Sequence, residues 1–137
     1  MPDTDFDPGQ VRIKVQTTYL PSHSSPDSDQ YTFAYTITIS NHGDRPVQLL
    51  SRHWEITDGN NAVQEVRGDG VVGEQPVIEP GRYFRYTSGA TLPTPAGYMQ
   101  GEYTMVVAGD SAVDPARQPA FEVAIPAFTL ATPNALN

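Results

Sequence analysis

The sequence predicts an all-β protein made of two antiparallel sheets packed face to face. Three observations lead there. Apolar and polar residues alternate with a period of two, as strands do when one face is buried and the other wet. Thirteen prolines and eleven glycines interrupt the 137-residue chain at short intervals. No run carries a helical period. The patterning predicts about seven strands separated by turns, which suits a sandwich. A closed barrel is the alternative.

Each element has its own signal. In residues 11–19 the odd positions read Val11, Ile13, Val15, Thr17, Tyr19, and the even ones Arg12, Lys14, Gln16, Thr18. Residues 31–40 repeat the pattern, with Tyr31, Phe33, Tyr35, Ile37 and Ile39 on one side. His42 to Pro46 makes a turn. A third strand runs from about Val47 to Thr57, with Leu50, Trp54 and Ile56 on one face. Leu49 and Arg52 break its register, so a bulge is expected near Leu49-Leu50. Asp58-Gly59-Asn60-Asn61 is a hairpin signal. A weaker strand over 62–67 follows, then a short piece at Val77-Ile78. Pro80-Gly81 opens a strand over 82–91, residues 92–97 form a loop, and 98–108 form a strand with Met99, Tyr103, Met105 and Val107 inward. Residues 110–119 read as a polar loop. The last strand, 121–130, turns Phe121, Val123 and Ile125 inward, then Phe128 and Leu130. Proline has no amide proton for a sheet ladder, so Pro126 belongs at an edge or a bulge.

A chain of this length buries roughly two thirds of its unfolded surface, enough for one core. The expected domain spans 11–131, between an acidic tail over 1–10 and a short tail over 132–137. Eight basic and sixteen acidic residues give a net charge of −8. That field repels a phosphate backbone, which argues against nucleic acid and anionic membranes as partners. The longest apolar run, Met105 to Ala108, is far too short to span a bilayer. With no cysteine and no signal-peptide pattern at the N-terminus, a cytoplasmic protein is expected.

Four stretches carry a resemblance. LLSRHWEITDGNN (49–61), VQEVRGDGVVGEQPVIEPG (63–81), FRYTSGATLPTPAGYMQGEYTMV (84–106) and FEVAIPAFTLA (121–131) occur in one order, and with them the chain resembles the ApaG family from about Val11 to Ala131. Gly59-Asn60-Asn61 and Tyr98 depart from its usual pattern. The resemblance implies an immunoglobulin or fibronectin type III-like β-sandwich and no established enzymatic reaction. It implies a link to cobalt resistance and magnesium efflux in enteric bacteria, and a protein-interaction role for the domain in eukaryotic relatives.

Gly68-Asp69-Gly70-Val71-Val72-Gly73 matches G-x-G-x-x-G, a pattern that can cradle a diphosphate. A dinucleotide fingerprint needs a helix leaving the glycines, and Glu74-Gln75-Pro76 offers none. A nest of backbone amides could still hold an anion. Arg67 would supply the cation, joined by Arg82 or Arg85. Asp69 and Glu74 oppose it. The alternative is that Gly68, Gly70 and Gly73 provide positive φ angles in a loop. Arg67-Gly68-Asp69 also spells an adhesion tripeptide, a coincidence in a protein without a secretion signal.

Imidazole nitrogen suits cobalt, whereas magnesium prefers oxygen. His53 and Glu55, two apart on a strand, are the candidate metal ligands, with a third required from a neighbouring strand; an ordinary His–Glu pair is the plainer reading. Asp3, Asp5 and Asp7, or Asp27 and Asp29, would gather cations only loosely. Catalysis finds no G-x-S-x-G, no H-E-x-x-H and no paired carboxylates in a cleft. Ser51 and His53 share a face, with no orienting acid unless Glu55 serves. Tyr35, Trp54, Tyr86 and Tyr103 are expected as core anchors. Arg52, on the same nominal face, is expected either to turn outward or to cap the sheet end in solvent. Loops 68–76 and 88–97 are the expected recognition surface, and an exposed edge strand would permit a homodimer. The sequence therefore predicts a non-enzymatic binding module with a protein partner and no bound cofactor.

Overall fold

The computed structural model describes residues 6–108 and 119–135. Asp3, Asp5 and most of the polar loop expected at 110–119 lie outside them. The strands are β1 (Val11–Tyr19), β2 (Tyr31–Asn41), β3 (Val47–Asp58), β4 (Val63–Asp69), β5 (Val77–Ile78), β6 (Tyr83–Leu92), β7 (Ala96–Val107) and β8 (Ala120–Ala131). All pair antiparallel, in a sheet ordered β1-β2-β6 and a larger one ordered β4-β3-β7-β8, with β5 on the outer edge of β3. The two sheets form an open sandwich. No described helix is long and apolar enough to cross a membrane.

The period-two reading holds through the inner faces. Phe33, Tyr35, Ile37 and Ile39 of β2 meet Met99, Tyr103 and Met105 of β7 in one core. Trp54 lies at its centre, edge-on to Tyr35, Phe128 and Tyr103 at centroid distances of 5.5, 5.8 and 6.4 Å. Such edge-to-face contacts set the ring quadrupoles favourably. The expected bulge in β3 is present, because the register against β7 shifts between Leu49 and Ser51. Its effect on Leu50 differs from expectation. Leu49 is fully buried and Leu50 becomes the extra, half-buried residue, which unlike Ile56 does not pack against the core around Trp54. Pro126 satisfies both of its expected positions: β8 is an edge strand, and four residues there, Ile125 to Phe128, lie opposite three of β7, Met99 to Gly101.

The two long sides of the sandwich differ. On one, β1 packs against β8. Phe6 extends that side: it is buried and its ring lies 5.4 Å from Phe121. The packed structure thus begins before the expected boundary at Val11, since one aromatic in an acidic segment finds an apolar seat. Gly43 makes room for it, because a Cβ there would lie 2.6 Å from the Phe6 ring. On the other side, β6 and β4 do not meet, and a cleft opens between the sheets.

Candidate functional site

The cleft is built around Arg52. After the bulge, β3 turns Arg52, Trp54 and Ile56 inward, with Arg52 opposite Tyr103 of β7 and Gly68 of β4. Its guanidinium lies over Gly68, where a Cβ would sit 2.8 Å from Cζ. Nη1 donates to the carbonyls of Asp69 at 3.1 Å and Gly70 at 2.8 Å. Arg52 thus does not turn outward; half-buried, it caps the carbonyl end of β4, the second of the two expected outcomes. No carboxylate among the described residues pairs with it. Two adjoining chambers of about 300 and 280 Å³ share Tyr35, Arg52, Trp54 and Ser88. The first continues along Ser88 to Thr91, Gln64 and Val66; the second reaches Tyr86, Asp69 and Val71 to Gly73.

At the floor, the Tyr86 and Tyr103 hydroxyls share a bond of 2.5 Å. Burial pushes both phenols far above their ordinary range, so the pair stays protonated and neutral. The four expected aromatic anchors, Tyr35, Trp54, Tyr86 and Tyr103, are all in the core.

The glycine motif divides into three uses. Gly68 is a strand residue that admits the Arg52 guanidinium. Gly70, with φ +63, packs against the Glu74 carbonyl group. Gly73, with φ +81, follows Val72 at φ +42 in a two-residue hairpin turn closed by Val71 N–H to Glu74 O and Glu74 N–H to Val71 O at 2.8 and 2.9 Å. Positive φ at both central residues marks a type I′ turn. The Gly70 amide donates to the Leu50 carbonyl at 2.8 Å. The amides of Gly70, Val71 and Glu74 are therefore partnered within the protein. Arg67 lies on β4, with its side chain 3.5 Å from Glu65. Arg85 bonds Thr38 at 3.0 Å on the outer face of the smaller sheet. Of the two expected recognition loops, residues 88–92 are strand and only 93–95 turn. Ser88 nonetheless lines a chamber with Val71 to Gly73, so the two segments do share a surface, along the cleft rather than at an end of the sandwich.

His53 faces the other way, with Ser51 and Glu55. Its ring bonds across strands, not along its own: Nδ1 meets Glu102 of β7 at 2.5 Å and Nε2 meets Glu65 of β4 at 2.7 Å. Hydrogen bonds to Glu65 and then Glu102 raise the His53 pKa above its ordinary 6.5. The bond to His53 lowers that of Glu65. The carboxylates take opposite ring nitrogens, so they diverge rather than share a point. Among the described residues no three His, Asp or Glu side chains form a metal-holding group. The register pairing of His53 with Arg67 and Glu102 was the missing information; residue spacing along one strand cannot supply it.

Comparison with known proteins agrees with this architecture. The ApaG domain family model matches residues 21–107. Protein ApaG of Pseudomonas aeruginosa strain PAO1 is 52% identical over 128 residues, covering 93% of this chain and 95% of the relative. Protein ApaG of Dechloromonas aromatica is 52% identical over 133 residues, covering 96% and 98%. The crystal structure of an ApaA protein from Bordetella pertussis superposes with a TM-score of 0.82 at 48% identity, covering 91% of this chain and 95% of that one. With the open sandwich, the linked motifs along β3 to β8 and these near full-length matches in agreement, the chain belongs to the ApaG domain family.

Proposed function

We propose that the protein is a non-enzymatic binding module that docks a partner protein in the cleft between β6 and β4. The observation that carries this reading is the cation inside the sandwich. Arg52 sits between aromatic walls, bonded among the described residues only to backbone carbonyls, in a cleft that opens to solvent along two sheet edges. Apolar walls with a few fixed polar groups are the usual form of a recognition site. The role in cobalt resistance and magnesium efflux implied by the family resemblance would then run through the docked partner.

Crosslinked capture from cells tests the reading. Ser88 lines both chambers, so Ser88→Trp fills the cleft from β6. The wild-type chain should recover a specific partner and Ser88→Trp should lose it. Equal recovery by both, or a specific partner with neither, overturns the proposal.

A further inference from the structure

We propose that the occupant of the cleft is an extended segment carrying one carboxylate, which adds to β6 as a fourth strand of the smaller sheet. This rests on the cleft reading above and names the partner's chemistry.

The backbone of β6 offers the first argument. The Asn41 amide donates to Arg82 O at 3.0 Å and the Gly81 amide to Asn41 O at 2.8 Å, so odd residues of β2 face β6. The Leu20 amide donates to Thr32 O at 2.9 Å, so even residues face β1. Antiparallel pairs alternate between bonded and non-bonded. By register, Phe84, Tyr86, Ser88 and Ala90 therefore bond β2, while Tyr83, Arg85, Thr87, Gly89 and Thr91 turn their N–H and C=O groups to the open side. Among the described residues no backbone group meets them.

The second argument compares the four sheet edges. Natural edges are guarded by prolines, bulges, charges or brevity. β8 carries Pro126 and a bulge, β1 carries Arg12 and Lys14, and β4 is seven residues long with Glu65, Arg67 and Asp69. β6 has ten residues and no proline or lysine. Its one cation, Arg85, leans away over the Tyr83 ring, 5.2 Å from the centroid, and onto Thr38.

The third argument is charge and spacing. A strand docked on β6 sends alternate side chains, about 7 Å apart, into the cleft. Arg52 lines both chambers, but among the described residues the first has no acidic side chain, whereas Asp69 lines the second. A carboxylate side chain fits the first and an apolar one the second, two positions away. The net charge of −8 opposes acidic ligands at long range. The carboxylate is therefore read at contact, within an otherwise neutral or basic segment.

The probe is a ten-residue peptide alternating threonine with valine, one central valine replaced by glutamate, and lysine at both ends. Amide hydrogen exchange of the labelled protein is followed by NMR. Saturating peptide should slow exchange at Arg85, Thr87 and Gly89 at least tenfold and leave Tyr86 and Ser88, already bonded to β2, within twofold. Replacing the peptide glutamate with lysine should weaken binding at least tenfold, as should N-methylation of its alternate amides, which needs no change in the protein. Thr87→Pro should weaken it similarly with the melting transition kept. No binding at concentrations on the order of millimolar, protection on β1, β4 or β8 instead, or the same alternation in peptide-free protein at high concentration (a second copy as occupant) each overturns the proposal. Partner capture lost in Ser88→Trp but kept in Thr87→Pro would sink strand addition while sparing the cleft reading. Capture kept in Ser88→Trp would sink the cleft reading itself.

Discussion

On the outer face of β3, His53 holds Glu102 and Glu65 in a triad open to water. One residue earlier, on the inner face, Arg52 meets backbone carbonyls and aromatic walls and, among the described residues, no carboxylate. Both positions carry a basic side chain, yet among the described residues only His53 meets carboxylates. The outer triad satisfies itself, so it has little left to offer a ligand, and solvent screening limits what it adds to stability. The inner cation retains donors in a medium where electrostatics are stronger. The proposed recognition site thus lies on the inner face, and the ion-paired triad on the outer.

The largest expected effect comes from the inner face. Trp54→Ala removes the hub of the aromatic cluster and should cost about 3–5 kcal/mol in denaturant unfolding. A loss under about 1 kcal/mol would show that the cleft, not the packing, depends on Trp54. Next comes the place where the faces share a backbone. A Cβ at Gly101 would overlap the His53 carbonyl, so Gly101→Ala should cost about 1–3 kcal/mol and disturb both the triad and Trp54. Unchanged His53 ring shifts in that variant would contradict the coupling. Tyr103→Phe takes one hydroxyl from a buried pair and should cost about 1–2 kcal/mol; an unchanged melting temperature would deny the pair a structural role.

The outer triad should give the smallest effect, visible chiefly through pH. The raised pKa of His53 means the folded state favours the imidazolium more than the unfolded chain does. Its contribution is complete below the ordinary value of 6.5 and fades as pH climbs through the raised value. The lowered pKa of Glu65 acts at the other end: its contribution is present above the ordinary 4.5 and fades as pH falls through the depressed value. Wild type should thus exceed His53→Gln in melting temperature between these limits and converge with it once pH has passed the raised His53 value. A constant gap across that range would separate the triad from the titration.

Most of the fold was legible because period-two patterning reports one-sided burial directly. The alternation in β1, β2, β7 and β8 placed their core residues, and the break at Leu49 and Arg52 announced the bulge. Which of its two expected destinations Arg52 takes was not legible, because a bulge reverses side-chain direction by an amount that only the partner strand reveals. The glycine motif misled for a related reason. Its spacing suggests one device, whereas Gly68 accommodates a guanidinium, Gly70 a carbonyl and Gly73 a turn. Phe6 was hidden among aspartates, where composition speaks for solvent and a single ring decides otherwise.

The chain contains one tryptophan, and it forms the wall shared by both chambers of the cleft. Its indole, 2% exposed among tyrosine rings, should emit at short wavelength in the native protein. Anything that enters the cleft must change the polarity beside that ring. The molecule thus carries its own optical gauge of occupancy, readable without a label and distinct from the red shift that accompanies unfolding.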